Sequence, residues 1–182
     1  MNLRRHFRQL HLRISAPYRR KTLAWAMIPE LNVPVRFSGE GRIRLGARVA
    51  LGFGLAPRSG SGQIEIQARH STSRISIGSD VEVSNSTTII GLTSVTIEDF
   101  CLIGDHCLIM DSDFHDSDPE CRLDLSRRAT SDGRSAPVWI GRNVWIGSHC
   151  IILKGVQIGE GAVVGAGSVV RRSIPSNTIF VG

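Results

Sequence analysis

His115 stands in DSDFHDSDPECRLDLSRRATSDGRSA, a stretch between Met110 and Pro137 that is acidic first and basic later and has no aliphatic rhythm. An imidazole with an ordinary pKa near 6.5 accepts and returns a proton at neutral pH, so His115 is the leading candidate for a general base. Polar stretches of this length inside a compact chain are uncommon and usually functional. Two further side chains have chemistry to offer. Asn85, at the end of V-E-V-S-N, carries an amide that both donates and accepts. Its bland alternative is a corner residue, chosen because Asn enters the left-handed region easily. Trp145, in NVWIGS, takes an outward position, where a large aromatic marks a binding surface.

These residues hang on a repeat. Ile140, Ile146, Ile152, Ile158, Val164 and Val170 fall at every sixth position, with Gly after the aliphatic at 141, 147, 159 and 165. The fifth place of each hexad is Val144, Cys150, Val156, Ala162, Ser168 and Ile174. The same beat runs through Ile77, Val83 and Ile89, and again through Ile97, Ile103 and Ile109. Leu45 and Leu51, partnered by Val49 and Leu55, read as the first turns. Helices repeat near 3.6 and strands near 2, so a period of six points to stacked coils of very short strands. The competing fold is a β-sandwich, which needs no fixed period. Residues 56–74 break the phase and read as a loose coil with an irregular turn.

The segment PVWIGRNVWIGSHCIILKGVQIGEGAVVGAGSVVRRSIPSNTI, Pro137 to Ile179, resembles the hexapeptide-repeat acyltransferases, closest to the sugar and polysaccharide O-acetyltransferase branch. The resemblance is dense after residue 97 and thin before 75. It implies an all-β left-handed parallel β-helix, a homotrimer, and acetyl-CoA as co-substrate. It also implies that His115 activates a sugar hydroxyl, with Asn85, Asp113 and Trp145 around the acceptor. Ser148, Ala166 and Gly167 match positions lining the pantetheine groove, and Arg171 and Arg172 match positions that meet its phosphates. The family more often has Thr-Lys or a similar pair there; guanidinium forks suit phosphate oxygens. A related fold hosts zinc-dependent carbonic anhydrases, but His106, Cys107, Asp111, Asp113 and His115 lack that ligand pattern, so no metal is expected. The remaining histidines, including His106 and His149 at the fourth hexad place near a corner, read as structural.

Charge is confined to one end. The net +6 includes Arg4, Arg5, Arg8, Arg13, Arg19, Arg20 and Lys21. Removing those seven from 22 basic residues leaves 15 against 16 acidic ones, so the solenoid offers no nucleic-acid surface. Leu3, Phe7, Leu10 and Ile14 make one face of a short N-terminal helix, which either caps the solenoid or lies on an anionic membrane through residues 1–21. The division expected is a basic amphipathic leader over 1–34 and the β-helix over 35–182, with an excursion loop at 111–136. Cys101, Cys107 and Cys150 take fifth hexad places as small hydrophobes, and with Cys121 they suggest a reducing cytoplasm without disulfides.

The function expected is O-acetylation of a sugar in surface polysaccharide or lipid-linked glycan synthesis. Its rivals are N-acetylation of a nucleotide-linked amino sugar and a non-catalytic trimeric scaffold.

Overall fold

The structure is a computed structural model that describes the backbone of residues 12–14 and residues 22–53, 62–126 and 134–182 in full. Its strands form three parallel sheets. The first holds Leu12–Ile14, Val35–Gly39, Ile64–Ala68, Thr88–Gly91, Leu108–Met110, Ile151–Ile152 and Val169–Val170. The second holds Leu23–Trp25, Arg42–Leu45, Arg74–Ile77, Ser94–Ile97, Val138–Ile140 and Gln157–Ile158. The third holds Glu30–Leu31, Ala50–Leu51, Glu82–Val83, Leu102–Ile103, Trp145–Ile146, Val163–Val164 and Ile179–Phe180. The chain visits the sheets in rotation, so each coil lays one strand on each face of a three-sided solenoid.

Why these residues make this shape is visible in one ladder. Leu31, Leu51, Val83, Ile103, Ile146, Val164 and Phe180 stack in register up the inside of the third sheet. Each strand is too short to bury anything alone, and only stacking removes its aliphatic from water. Ile140, Ile146, Ile152, Ile158, Val164 and Val170 are at most 1% exposed, and each such burial contributes about 1.5–3 kcal/mol. The fifth-place residues are buried with them. Cys101, Cys107 and Cys150 donate their thiols to the carbonyls of Gly141, Gly147 and Gly165 on the next coil, at 3.1, 3.2 and 3.2 Å. None of the four cysteines is joined in a disulfide.

Corners require a left-handed residue. At the turn from second to third sheet this is Arg48, Asp80, Phe100, Asn143, Gly161 and Asn177 in successive coils. At the turn from third to first sheet it is Ser86, His106, His149 and Gly167.

Three expectations change. Residues 12–14 are a strand in register with Val35–Phe37, so a helix does not extend to Ile14; Leu3, Phe7 and Leu10 lie outside the described residues. Leu23–Trp25 and Glu30–Leu31 pair with the second and third sheets, so coils begin before residue 35. Ile64–Ala68 is a regular five-residue strand, with Ile64, Ile66 and Ala68 inward, where a loose coil was expected. The longer strand buries three residues at period 2, which hides the hexad. Among the described residues no helix is long and apolar enough to cross a membrane.

Candidate active site

The left-handed corner between third and first sheets builds a column of candidate site residues. Asn85 starts it: the residue is 6% exposed, and its Oδ1 accepts from the Phe53 N–H at 2.8 Å. The Asn85 carbonyl accepts from the His106 N–H at 3.0 Å, one coil further on. The Asp105 carbonyl accepts from His149 N–H at 2.8 Å, and the Ser148 carbonyl from Gly167 N–H at 2.8 Å. Asn85, His106, Ser148 with His149, and Ala166 with Gly167 are therefore consecutive rungs. A Cβ at Gly167 would find no atom within 4 Å, so the last rung borders open space.

The column ends at a groove. Val169, Arg171, Arg172, Phe180, Val181 and Gly182 line a concavity of about 360 Å³ at the end of the solenoid. Gly182 N–H donates to Ser168 Oγ at 3.2 Å, tying the groove wall to the residue after Gly167. Both arginines are exposed. Trp145, 56% exposed, stands on the third sheet two residues before Gly147, between Leu102 and Val163 on adjoining coils.

Asp105 is the most tuned group in the column. A hydrogen bond from the Ser148 side chain holds its carboxyl below the ordinary carboxylate range, helped by His106 and opposed by partial burial. Its Oδ2 lies 2.9 Å from His106 Nδ1.

His115 is on a different edge. The chain leaves the first sheet after Met110 and rejoins the second at Val138, so its loop stands at the corner between those sheets. A bridge between Ser112 and Ser135 narrows the neck. Asp111 fixes its base: the fully buried carboxylate accepts from Leu92 N–H (2.7 Å), Thr93 N–H (2.7 Å) and Thr93 Oγ1–H (2.8 Å). Asp113 pairs with Lys154 one coil on. Phe114 adopts φ +62° and lies beneath the Arg69 guanidinium, 5.1 Å away. His115 follows, exposed. Helix α1, Pro119–Leu123, is capped by Asp118, and Arg122 donates to the carbonyls of Asp116 and Ser117.

The structure thus gathers Asn85, Ser148, Ala166 and Gly167 on one edge of the first sheet, while Arg171 and Arg172 follow Val170 at the far end of its last strand, reached from the column across the groove at Val169. Within one chain it leaves Asp113 and His115 on the other edge of the first sheet. Sequence reasoning missed Asp105 as the carboxylate beside His106, and Lys154 as the partner of Asp113. It counted Asp111 only among metal-ligating types. The signal for Asp111 was its place as the first residue after an inward strand, where a carboxylate survives burial only with donors around it.

The family profile of the bacterial transferase hexapeptide (six repeats) matches residues 137–172. A hexapeptide-repeat acetyltransferase from Vibrio cholerae, VCA0836, in complex with acetyl coenzyme A, is 31% identical over 59% of this chain and 55% of its own, with TM-score 0.50. The chain spans less than two thirds of that protein's length. A galactoside acetyltransferase in complex with coenzyme A is 26% identical over 92% of this chain and 69% of its own, with TM-score 0.53. AntD, an N-acyltransferase from Bacillus cereus, shares the fold over 100% of this chain and 84% of its own at 18% identity, with TM-score 0.63. A search of curated proteins finds no match.

Proposed function

We propose, for a chain that carries the hexapeptide repeat of bacterial transferases, that it is an acetyl-CoA-dependent O-acetyltransferase acting on a sugar hydroxyl. The observation that carries the reading is the column itself, an amide at one end and small residues on its upper rungs, opening past the last rung into a groove that crosses Val169 to two guanidinium groups.

The residues suit a coenzyme. Ala166 and Gly167 leave room for a thin extended arm, and Arg171 and Arg172 offer forked donors to phosphate oxygens. When bound, the coenzyme supplies an activated acetyl thioester. Asn85, at the acceptor end, orients a hydroxyl through its amide, and Trp145 offers an apolar face on which a sugar ring lies. His115 removes the hydroxyl proton as the oxygen attacks, then returns that proton to the departing sulfur. The products are the sugar ester and the free thiol. Asp113, held by Lys154, steadies the loop two residues before the imidazole.

The separation of His115 from the column supports a trimer. The first sheet lies between the loop edge and the column edge. When copies arranged in a ring turn this sheet toward a common axis, the loop edge of each meets the column edge of the next. The outer surface of its upper coils suits such contact, since Ile90, Leu108, Met110, Ile151, Leu153 and Val169 face outward there, while Arg36, Glu65 and Gln67 take the same face in the earlier coils. By contrast the second sheet shows Arg44, Ser76, Thr96, Trp139 and Gln157. Three copies, the left-handed winding and a cytoplasmic place beside glycan synthesis belong to the same proposal, as does contact of residues 1–21 with anionic lipid.

Acetyl-CoA turnover against a panel of mono- and oligosaccharides, amino sugars included, tests the reading. His115→Ala should lower turnover at least about a hundredfold without shifting the melting temperature. Unchanged turnover in a folded variant would remove His115 from the mechanism.

A further inference from the structure

Between the Asn85 rung and the Ala166 rung the column carries a cluster that the acetyl-transfer reading leaves unused. His106 and His149 occupy equivalent corners of adjacent coils, with φ of +55° and +59°. Their rings stack with centroids 4.8 Å apart and planes within 5°. Asp105 adds its carboxylate, and the ligating atoms of the three residues all lie within 4.8 Å of one another. We propose that Asp105, His106 and His149 form a binding site for a first-row divalent cation such as zinc or cobalt.

The chemistry of the donor set argues for this class of ion. Two imidazole nitrogens and one carboxylate oxygen suit zinc, cobalt or nickel, whereas magnesium and calcium take oxygen sets. A metal needs neutral imidazoles and an ionised carboxylate. The Ser148 side chain hydrogen-bonds the Asp105 carboxylate and orients it, the role that outer-shell partners fill at metal sites.

Geometry is favourable as well. Metal–nitrogen bonds of about 2.0–2.1 Å put ligand atoms roughly 3–4 Å apart. Half-exposed side chains close the remaining gap by rotating about their χ angles, without moving the coil. The backbone is already fixed, because His106 N–H and His149 N–H are both committed to the coil before them. Three protein ligands leave coordination positions open to solvent. The other two corners of this column, Ser86 and Gly167, present no imidazole.

Titrating the intact protein with cobalt(II) and following its visible absorption, with zinc calorimetry alongside, tests the site. One ion per chain is expected. Replacing His106 or His149 by Asn keeps a residue that tolerates the left-handed corner and removes the ligand. Each change, and Asp105→Asn, should weaken cobalt binding at least about tenfold, while His115→Asn should leave it intact. No uptake by the parent protein, or uptake indifferent to all three column variants, would overturn the site. Should a variant fail to fold, anomalous scattering from zinc-grown crystals of the unaltered protein decides. A peak within bonding distance of the two ring nitrogens and the Asp105 carboxylate supports the site, and a peak elsewhere or none rejects it. Uptake is read without turnover, so this result is independent of the acetyltransferase reading.

Discussion

Replacing Asp111 by Ala should damage both stability and catalysis, although the residue touches no substrate. Its carboxylate is fully buried and receives three donors from the preceding coil. Hydrogen bonds to a charged acceptor contribute about 1.5–3 kcal/mol each, but the three will not be lost equally. Leu92 is 4% exposed, so its N–H would remain dry and unpaired at a cost of about 2 kcal/mol. Thr93 is exposed, so water replaces much of what its N–H and hydroxyl lose, leaving about 1 kcal/mol between them. The total, about 3 kcal/mol, corresponds to a fall of about 6–12 °C in melting temperature for a chain of this size. Asp111→Asn should fall roughly half as far, since one oxygen still serves Leu92 while the amide opposes the Thr93 N–H. Turnover should drop too, because the neck that sets the direction of the His115 loop is pinned at this carboxylate. Scanning fluorimetry and acetyl-CoA turnover measure the two effects. An Asp111→Ala protein melting within about 2 °C of the parent would refute the energetic reasoning. One that melts lower yet turns over normally would refute the coupling of the anchor to the loop.

Three further outcomes are expected. Gly104→Ala would place a Cβ 2.5 Å from Ser148 N and 2.7 Å from Gly147 C, backbone atoms of the next coil that cannot step aside. It should lose about 2–3 kcal/mol in urea unfolding, against about 1 kcal/mol for Gly167→Ala, where only the left-handed backbone resists; equal losses would contradict this. Burial pushes the Cys101 and Cys107 thiols up to about 11, so the fold favours their neutral form. Stability should hold below the ordinary thiol pKa of 9.0 and decline as pH rises toward 11, and at pH 8 a thiol reagent should label Cys121 first; rapid labelling of Cys101 or Cys107 in native protein would be inconsistent. Ile151→Asp, on the outer surface of the first sheet, should split the proposed trimer in light scattering and abolish turnover, and a monomeric variant with full activity would refute a shared site.

The C-terminal coils were legible in the sequence because their strands are so short. With one inward residue per strand and a fixed turn, Ile140, Ile146 and Ile152 repeat at the period of the structure itself. The same logic failed at Ile64–Ala68, where a longer strand inserts a period of two, and at Leu23–Trp25, where no glycine marks a corner. Site residues divided in a similar way. His115 and Trp145 stand out as candidates because each breaks a pattern, one by lying outside the hexads and one by putting a large ring outside the coil. The His106 and His149 stack was illegible: the loop separates the two residues in sequence, and only the pairing of Leu108 with Ile151 across it brings their corners together. Asp111 was misread because a carboxylate's role depends on donors, and its donors, Leu92 and Thr93, belong to another coil.

The neck at Ser112 and Ser135 has a consequence for how such a protein diversifies. Above it, Trp139 still pairs with Gln157, and below it Thr96 still pairs with Trp139, so the coil does not register the length of what protrudes. Doubling a flexible loop costs only about 0.6 kcal/mol of closure entropy. The protrusion is therefore nearly decoupled, thermodynamically, from the ladder that carries it. Recombination or drift can exchange the segment bearing His115 while the rungs at Ser148, Ala166 and Gly167 stay as they are. Under the proposed reading, the base and the groove for the acyl donor are then separately heritable traits of one chain.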